Sequence, residues 1–188
     1  MKKQVFVSGI GTGIGKTFCS AMLVKLWQAD YWKPIQSGDL DMTDSMTIRS
    51  LVDNDITIFP ERYRLKTAAS PHESAQIDGV EISLNDFQLP YSQNSLVVEG
   101  AGGLYVPINE DEFIIDLIEH LKLPAVLVIQ DYLGCINHSV LSIKALESKN
   151  ITVDTVVFNG PFSTATERII RRHIPAEVAC INIPWFHK

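Results

Sequence analysis

Cysteine is scarce in this chain, positive charge is in deficit and no apolar stretch is long. Cys19, Cys135 and Cys180 lie far apart, form no Cys-x-x-Cys pair and are odd in number. That usage excludes a disulfide framework of the secreted kind and suits a reducing cytoplasm. The five histidines show no metal-ligand spacing. A formal net charge of -6 argues against a surface built for a nucleic-acid backbone or an anionic membrane, although a small basic pocket can sit within an acidic protein. No apolar run approaches the roughly 20 residues that span a bilayer. The opening "MKKQVFVSG" reaches a glycine well short of a signal-peptide core. These features are compatible with a small-molecule enzyme, with the cytoplasm as the default location. The 188 residues are expected to form one domain over 1–188, long enough to bury its own core.

What is present is a recurring alternation. Short, β-branched apolar runs at 4–8, 31–35, 95–100, 124–130, 152–159 and 177–183 read as strands buried on both faces of a parallel sheet. Between them, "GKTFCSAMLVKLWQA", "EDEFIIDLIEHL", "HSVLSIKALES" and "TATERIIRRH" carry apolar residues at three- and four-residue spacing. Strand and helix in alternation imply right-handed crossovers and a three-layer α/β domain, with a mostly parallel central sheet flanked by helices. Thr164 and Glu167 are spaced as a capping box for the last helix. The segment 53–92, rich in proline and polar residues, is expected to form loops and short helices over one sheet edge. Chemistry in such a fold belongs at the carboxyl ends of the strands.

The first of those ends is "VSGIGTGIGKTF". A phosphate loop of the common pattern has four residues between its first glycine and Gly-Lys-Thr; Gly9 and Gly15 enclose five. Lys-Thr still follows the last glycine at a helix start, where backbone N–H groups and the helix dipole suit a phosphate chain. Lys16 would then reach the β- and γ-phosphates and the Thr17 hydroxyl would take Mg²⁺. In "YWKPIQSG", Pro34 holds Lys33 extended. Lys33 reads equally as a second cation for the transferring phosphoryl group or as a lysine snorkelling at a strand edge, and Ser37 as an acceptor-substrate contact. Asp44 stands near a helix start, as dipole compensation or as a Mg²⁺ ligand. Glu99, in "LVVEGAGGLYVP", ends a buried strand where an acidic residue helps hold Mg²⁺ in phosphate-loop enzymes. Gly134 and Asn137 precede a helix, with Asn137 a plausible N-cap. Asn159, in "FNGP", offers a donor and an acceptor to a base edge but also reads as a plain turn.

Taken in order, "GIGTGIGKT", "WKPIQSG", "ASPHESA", "VEGAGGLYVP", "LGCINHS" and "FNGP" resemble the dethiobiotin synthases, from Val5 to the terminal "INIPWF". The long loop fits that family, whose members likewise place five residues before Gly-Lys-Thr. The resemblance implies a phosphate-loop NTPase fold in which Thr12, Gly13, Ile14, Gly15, Lys16, Thr17 and Phe18 wrap the phosphates of ATP. It implies that Thr17, Asp44 and Glu99 serve Mg²⁺, that Lys33 and Lys16 are catalytic, and that Gly100, Ala101 and Gly102 line the nucleotide site. Asn159 and Ile183-Pro184-Trp185 would border the adenine. Ser37 and Gly103 would meet the substrate, 7,8-diaminopelargonate, which combines with CO₂ or bicarbonate. The family is homodimeric, which would set Leu133, Gly134 and Asn137 across from the other chain's phosphate site. Family members often carry an acidic residue where this chain has Gly13.

The implied reaction is carboxylation of one amine and ATP-driven closure of a ureido ring through a carbamic-phosphoric anhydride. The rival from another class is a nucleotide-switched, partner-binding ATPase of the partition or septum-placement type. Those proteins carry a lysine at the start of the tight loop, where this chain has Gly11.

Overall fold

The computed structural model describes residues 2–184. Its central feature is a seven-stranded sheet in which β1 (Gln4–Gly9) lies between β6 (Leu96–Gly103) and β7 (Ala125–Gln130). On the β6 side follow β2 (Asp30–Trp32) and the edge strand β4 (Ile58–Phe59); on the β7 side follow β8 (Val153–Asn159) and β9 (Ala179–Ile183). Every pair in this sheet is parallel. The apolar runs are continuous because both faces are covered: within β1, Val5 and Val7 pack into one core layer and Phe6 into the other.

The first layer takes Cys19, Leu23 and Val24 of α1 (Lys16–Trp27), Ile48 of α2 (Asp44–Leu51) and Ile170 of α6 (Thr164–Arg171). The second takes Ala75 of α3 (Pro71–Asp78) and an apolar stripe of α4 (Ile114–Leu121). α5 (Cys135–Ser148) contributes Ile143 to the first and Leu146 to the second. The three-layer architecture is therefore the expected one.

Several local expectations are corrected. The run read as one strand at 31–35 breaks at Lys33-Pro34: Pro34 has no N–H for a sheet ladder, and its carbonyl accepts from the amides of Arg62 and Tyr63 instead. The chain thus leaves the main sheet, and β3 (Ile35–Ser37) pairs with β5 (Tyr63–Leu65) in a separate two-stranded sheet. The 53–92 segment accordingly holds two short strands, β4 and β5, besides α3 and a turn of 3₁₀ helix at Leu84–Asp86. The last helix is capped by Ser163, whose side chain accepts from the Thr166 amide, while Glu167 bonds Arg171 and Asn182. The helix after β7 begins at Cys135 on a left-handed Gly134 (φ 105°), so Asn137 lies inside the first turn and does not cap it.

Candidate active site

The carboxyl ends of β1, β2 and β6 deliver their residues to one cleft of about 670 Å³. Its walls include Thr12, Gly13, Gly15, Lys16, Thr17 and Phe18 from the loop after β1, together with Lys33 and Ser37. Asp44, Glu99, Ala101, Gly102 and Asn159 complete the predicted set that the cleft gathers. The loop after β1 lies against the end of β6 where two glycines pair, Gly9 with Gly103; a Cβ on Gly103 would make only ordinary van der Waals contact, 3.4 Å from the Gly9 carbonyl and 3.6 Å from the Gly11 amide.

Lys33 is 3% exposed, which excludes the snorkelling reading. Its Nζ stands 2.7 Å from Asp44 Oδ2 and 3.4 Å from Glu99 Oε1, and donates to the Gly100 carbonyl at 2.9 Å. Burial opposes charge on Lys33, but Glu99 and Asp44 outweigh it and hold the pKa above its ordinary value. For Asp44, burial acts upward, and the attraction of Lys33 with hydrogen bonds from Lys33 and Thr17 brings the carboxyl below its ordinary range. Lys16 is different. Burial, reinforced by the nearby charge of Lys33, lowers its pKa to about 8, and its Nζ donates to the Gly11 carbonyl at 2.7 Å.

Three oxygens converge beside these lysines: Thr17 Oγ1 lies 3.0 Å from Asp44 Oδ1 and 2.9 Å from Glu99 Oε1. The hydroxyl carries one proton, so it donates to one carboxylate at a time. One hydroxyl and two carboxylates form a hard donor set that could hold Mg²⁺, an ion that keeps waters and phosphate oxygens as its remaining ligands. Among the described residues no group of three or more His, Cys, Asp or Glu makes an all-protein metal cage.

The other predicted residues divide. Ile14 is buried, and its carbonyl accepts from Asn159 Nδ2 at 2.9 Å. Asn159 Oδ1 and Ser37 Oγ are buried without a hydrogen-bond partner. Gly100 and Gly103 support the cleft without lining it, and Ile183, paired with Asn159, is buried behind it. Pro184 is exposed, and Trp185 lies outside the described residues. Leu133, Gly134 and Asn137 are exposed and do not line the cleft, with Leu133 fully open to solvent.

Sequence reasoning missed two polar residues. Tyr31 reads as one more apolar strand residue, yet its hydroxyl donates to Glu99 Oε2 at 3.0 Å. Burial and the adjacent Glu99 keep that phenol protonated, far above its ordinary pKa. Gln36 lies buried in β3, accepts from the Asp44 amide at 3.3 Å and donates to the Gly38 carbonyl at 3.0 Å, so it ties the Lys33 segment to the start of α2. A polar residue within an apolar strand was the available signal. Ala68 to Pro71, at the start of α3, also face the cleft.

A protein-family model described as an AAA domain matches residues 3–188. The ATP-dependent dethiobiotin synthetase BioD of Cytophaga hutchinsonii is 47% identical over 173 residues, covering 91% of this chain and 84% of that protein. The protein of the same name from Christiangramia forsetii is 44% identical, with 92% and 83% covered. Among solved structures, a ParA family ATPase from Chlorobium tepidum TLS superposes with a TM-score of 0.59 over 98% of this chain and 85% of that one. At 16% identity, that likeness speaks for the fold alone.

Proposed function

The chain belongs to the ATP-dependent dethiobiotin synthetases, and on that premise we propose that its cleft uses ATP to close the ureido ring of dethiobiotin in biotin synthesis. It is a ligase with ATP as co-substrate. The observation that carries the reading is the meeting of Lys16, Lys33, Thr17, Asp44 and Glu99 around one cleft whose lining also includes Ser37 and Ser70. Phosphate-binding groups and a second polar subsite there adjoin each other.

In the proposed reaction one amine of 7,8-diaminopelargonate adds to CO₂ and loses a proton, giving a carbamate. A carbamate oxygen attacks the γ-phosphorus, the bond to the ADP oxygen breaks, and a carbamic-phosphoric anhydride results. The second amine attacks the carbamoyl carbon, phosphate leaves with the C–O electron pair, and loss of the amine proton completes the cyclic urea. No protein nucleophile is required. The chain's task is positioning and charge stabilisation.

The loop Thr12 to Phe18 would hold the phosphates, and Lys16 and Lys33 would offset charge on the transferring phosphoryl oxygens. Mg²⁺ would be held by Thr17, Asp44 and Glu99, supplying further neutralisation of phosphate charge. The unpartnered Asn159 Oδ1 supports an amine-bearing base at the nucleotide end, and the unpartnered Ser37 Oγ supports a polar substrate at the other. Leu133, Gly134 and Asn137, away from this chain's own cleft, would complete the site of a second copy in a homodimer. The exposed Leu133, Ile136 and Leu141 supply apolar surface for that contact. No helix among the described residues is long and apolar enough to cross a membrane, and a cytoplasmic location is part of the proposal.

The decisive experiment is ATP turnover by the purified chain with and without 7,8-diaminopelargonate and bicarbonate. Turnover requiring both, with ADP and dethiobiotin formed together, is the expected result. An ATPase indifferent to the diamine would sink the reading.

A further inference from the structure

Glu99 is 1% exposed and its two carboxylate oxygens have different company. Oε1 meets the Thr17 hydroxyl at 2.9 Å and the Lys33 ammonium at 3.4 Å, on the cleft side. Among the described residues, Oε2 receives the Tyr31 hydroxyl alone, at 3.0 Å. Tyr31 occupies the middle of β2, opposite Val97 of β6 and Ile58 of β4, and is completely buried within the same core layer as Val97. Its ring has nowhere to go, so the hydroxyl is a fixed donor aimed at one acceptor.

We propose that Tyr31 is a positioning residue for the Mg²⁺ site, acting through Glu99: its hydroxyl claims Oε2 and so presents Oε1 to the metal and to Thr17. The inference rests on the reading that Thr17, Asp44 and Glu99 hold Mg²⁺. A carboxylate with both oxygens unclaimed can rotate about its last bond, and the neighbouring Lys33 would draw either oxygen. Tying Oε2 removes that freedom and satisfies a charged atom that burial would otherwise leave without a donor. Partners of this kind, one bond removed from the metal, typically change metal affinity about 10- to 100-fold. The lever lies two residues before Lys33 and in the strand next to Glu99, so β2 serves the site from both its interior and its end.

Tyr31→Phe keeps the ring and removes only the donor. The test is calorimetric titration of ADP into wild type and Tyr31→Phe, first in excess chelator and then at rising Mg²⁺, with Mn²⁺ binding to the ADP complexes read by electron paramagnetic resonance. Metal-free ADP affinity should stay within about twofold, which also certifies the fold. The Mg²⁺ concentration giving half of the metal-dependent gain should rise about tenfold or more, with a parallel loss of Mn²⁺ affinity. Equal metal dependence in wild type and variant overturns the role of Tyr31 and leaves the metal site standing. Wild-type ADP affinity indifferent to metal overturns the metal reading and the inference together. A double-mutant cycle keeps the claim testable if Tyr31→Phe is weakened by a packing fault: in Glu99→Gln, removing the Tyr31 hydroxyl should cost no further metal affinity, whereas additive losses would overturn the coupling. None of these measurements uses the diamine, so the ring-closing reaction stands or falls separately.

Discussion

Lys33 Nζ and Asp44 Oδ2 are 2.7 Å apart, which joins the break after β2 to the first residue of α2. The residue proposed to stabilise the transferring phosphoryl group is therefore neutralised, before ligand arrives, by a residue proposed to hold the metal. Mg²⁺ taking Asp44 as a ligand would release Lys33 toward the phosphates. Lys33→Gln should lower kcat about 100-fold or more, the usual loss when one preorganised donor to a developing charge is removed. ADP affinity should change only a few-fold. Steady-state kinetics beside calorimetry checks the split, and unchanged kcat rejects the role.

The same pair sets a limb of acid stability. The native Asp44 carboxyl titrates below its ordinary 3.8, so its contribution is fully present above that pH and is lost as pH falls through the native value. Asp30, Asp86 and Glu167 are also lowered and add their own slopes. The expected signal is consequently a difference: the urea midpoint of wild type should fall more steeply below about pH 4 than that of Asp44→Asn. Parallel curves would remove Asp44 from the acid limb.

Lys16 makes the opposite prediction at the alkaline side. With a native pKa of about 8, against 10.5 unfolded, it is half neutral near pH 8. Phosphate oxygens favour the ammonium, so ADP binding should take up protons, rising between pH 7 and 9 toward about one per site. Calorimetry in two buffers of different ionisation enthalpy measures it. Lys16→Arg, which stays charged throughout, should abolish the uptake.

Two glycines of the phosphate loop should answer differently to the same substitution. A methyl group on Gly15 would overlap Asn159 Nδ2, at a φ of 90°, whereas one on Gly13 meets open space and bears only the strain of a φ of 73°. Gly15→Ala should reduce ADP affinity by more than about 30-fold, and Gly13→Ala by no more than about 5- to 30-fold, since left-handed backbone alone costs roughly 1–2 kcal/mol. Equal losses would mean that Asn159 yields.

Strand ends made most of the site legible. Lys33 and Glu99 stand out as charges at the end of apolar runs, Lys16 and Thr17 as the close of a glycine-rich loop at a helix start; Asp44 carried less signal, since an acidic residue near a helix start also serves the dipole, and the cleft gathers all five. Tyr31 was hidden because a tyrosine inside a buried strand differs from phenylalanine by one atom whose partner lies 68 residues away. The break at Pro34 was hidden for a related reason: Ile35 prolongs the apolar run that starts at Tyr31, and the partner that draws Ile35 to Ser37 aside, β5, is a three-residue strand inside a segment of weak pattern. At Asn137 the residue type suggested a cap, but the backbone turned earlier, at a glycine free to adopt φ 105°.

Asn159 Nδ2 reaches the carbonyl of Ile14 across 145 positions of the chain. During synthesis the amino-terminal loop emerges almost first, whereas the residue that braces it emerges near the end. A ribosome-bound chain ending before β8 would possess every residue of the loop and still lack the side chain that braces it. The carbonyl of Ile14 thus gains its brace only after β8 has joined the sheet beside β7, which makes the shape of the first loop one of the last features of the fold to be secured.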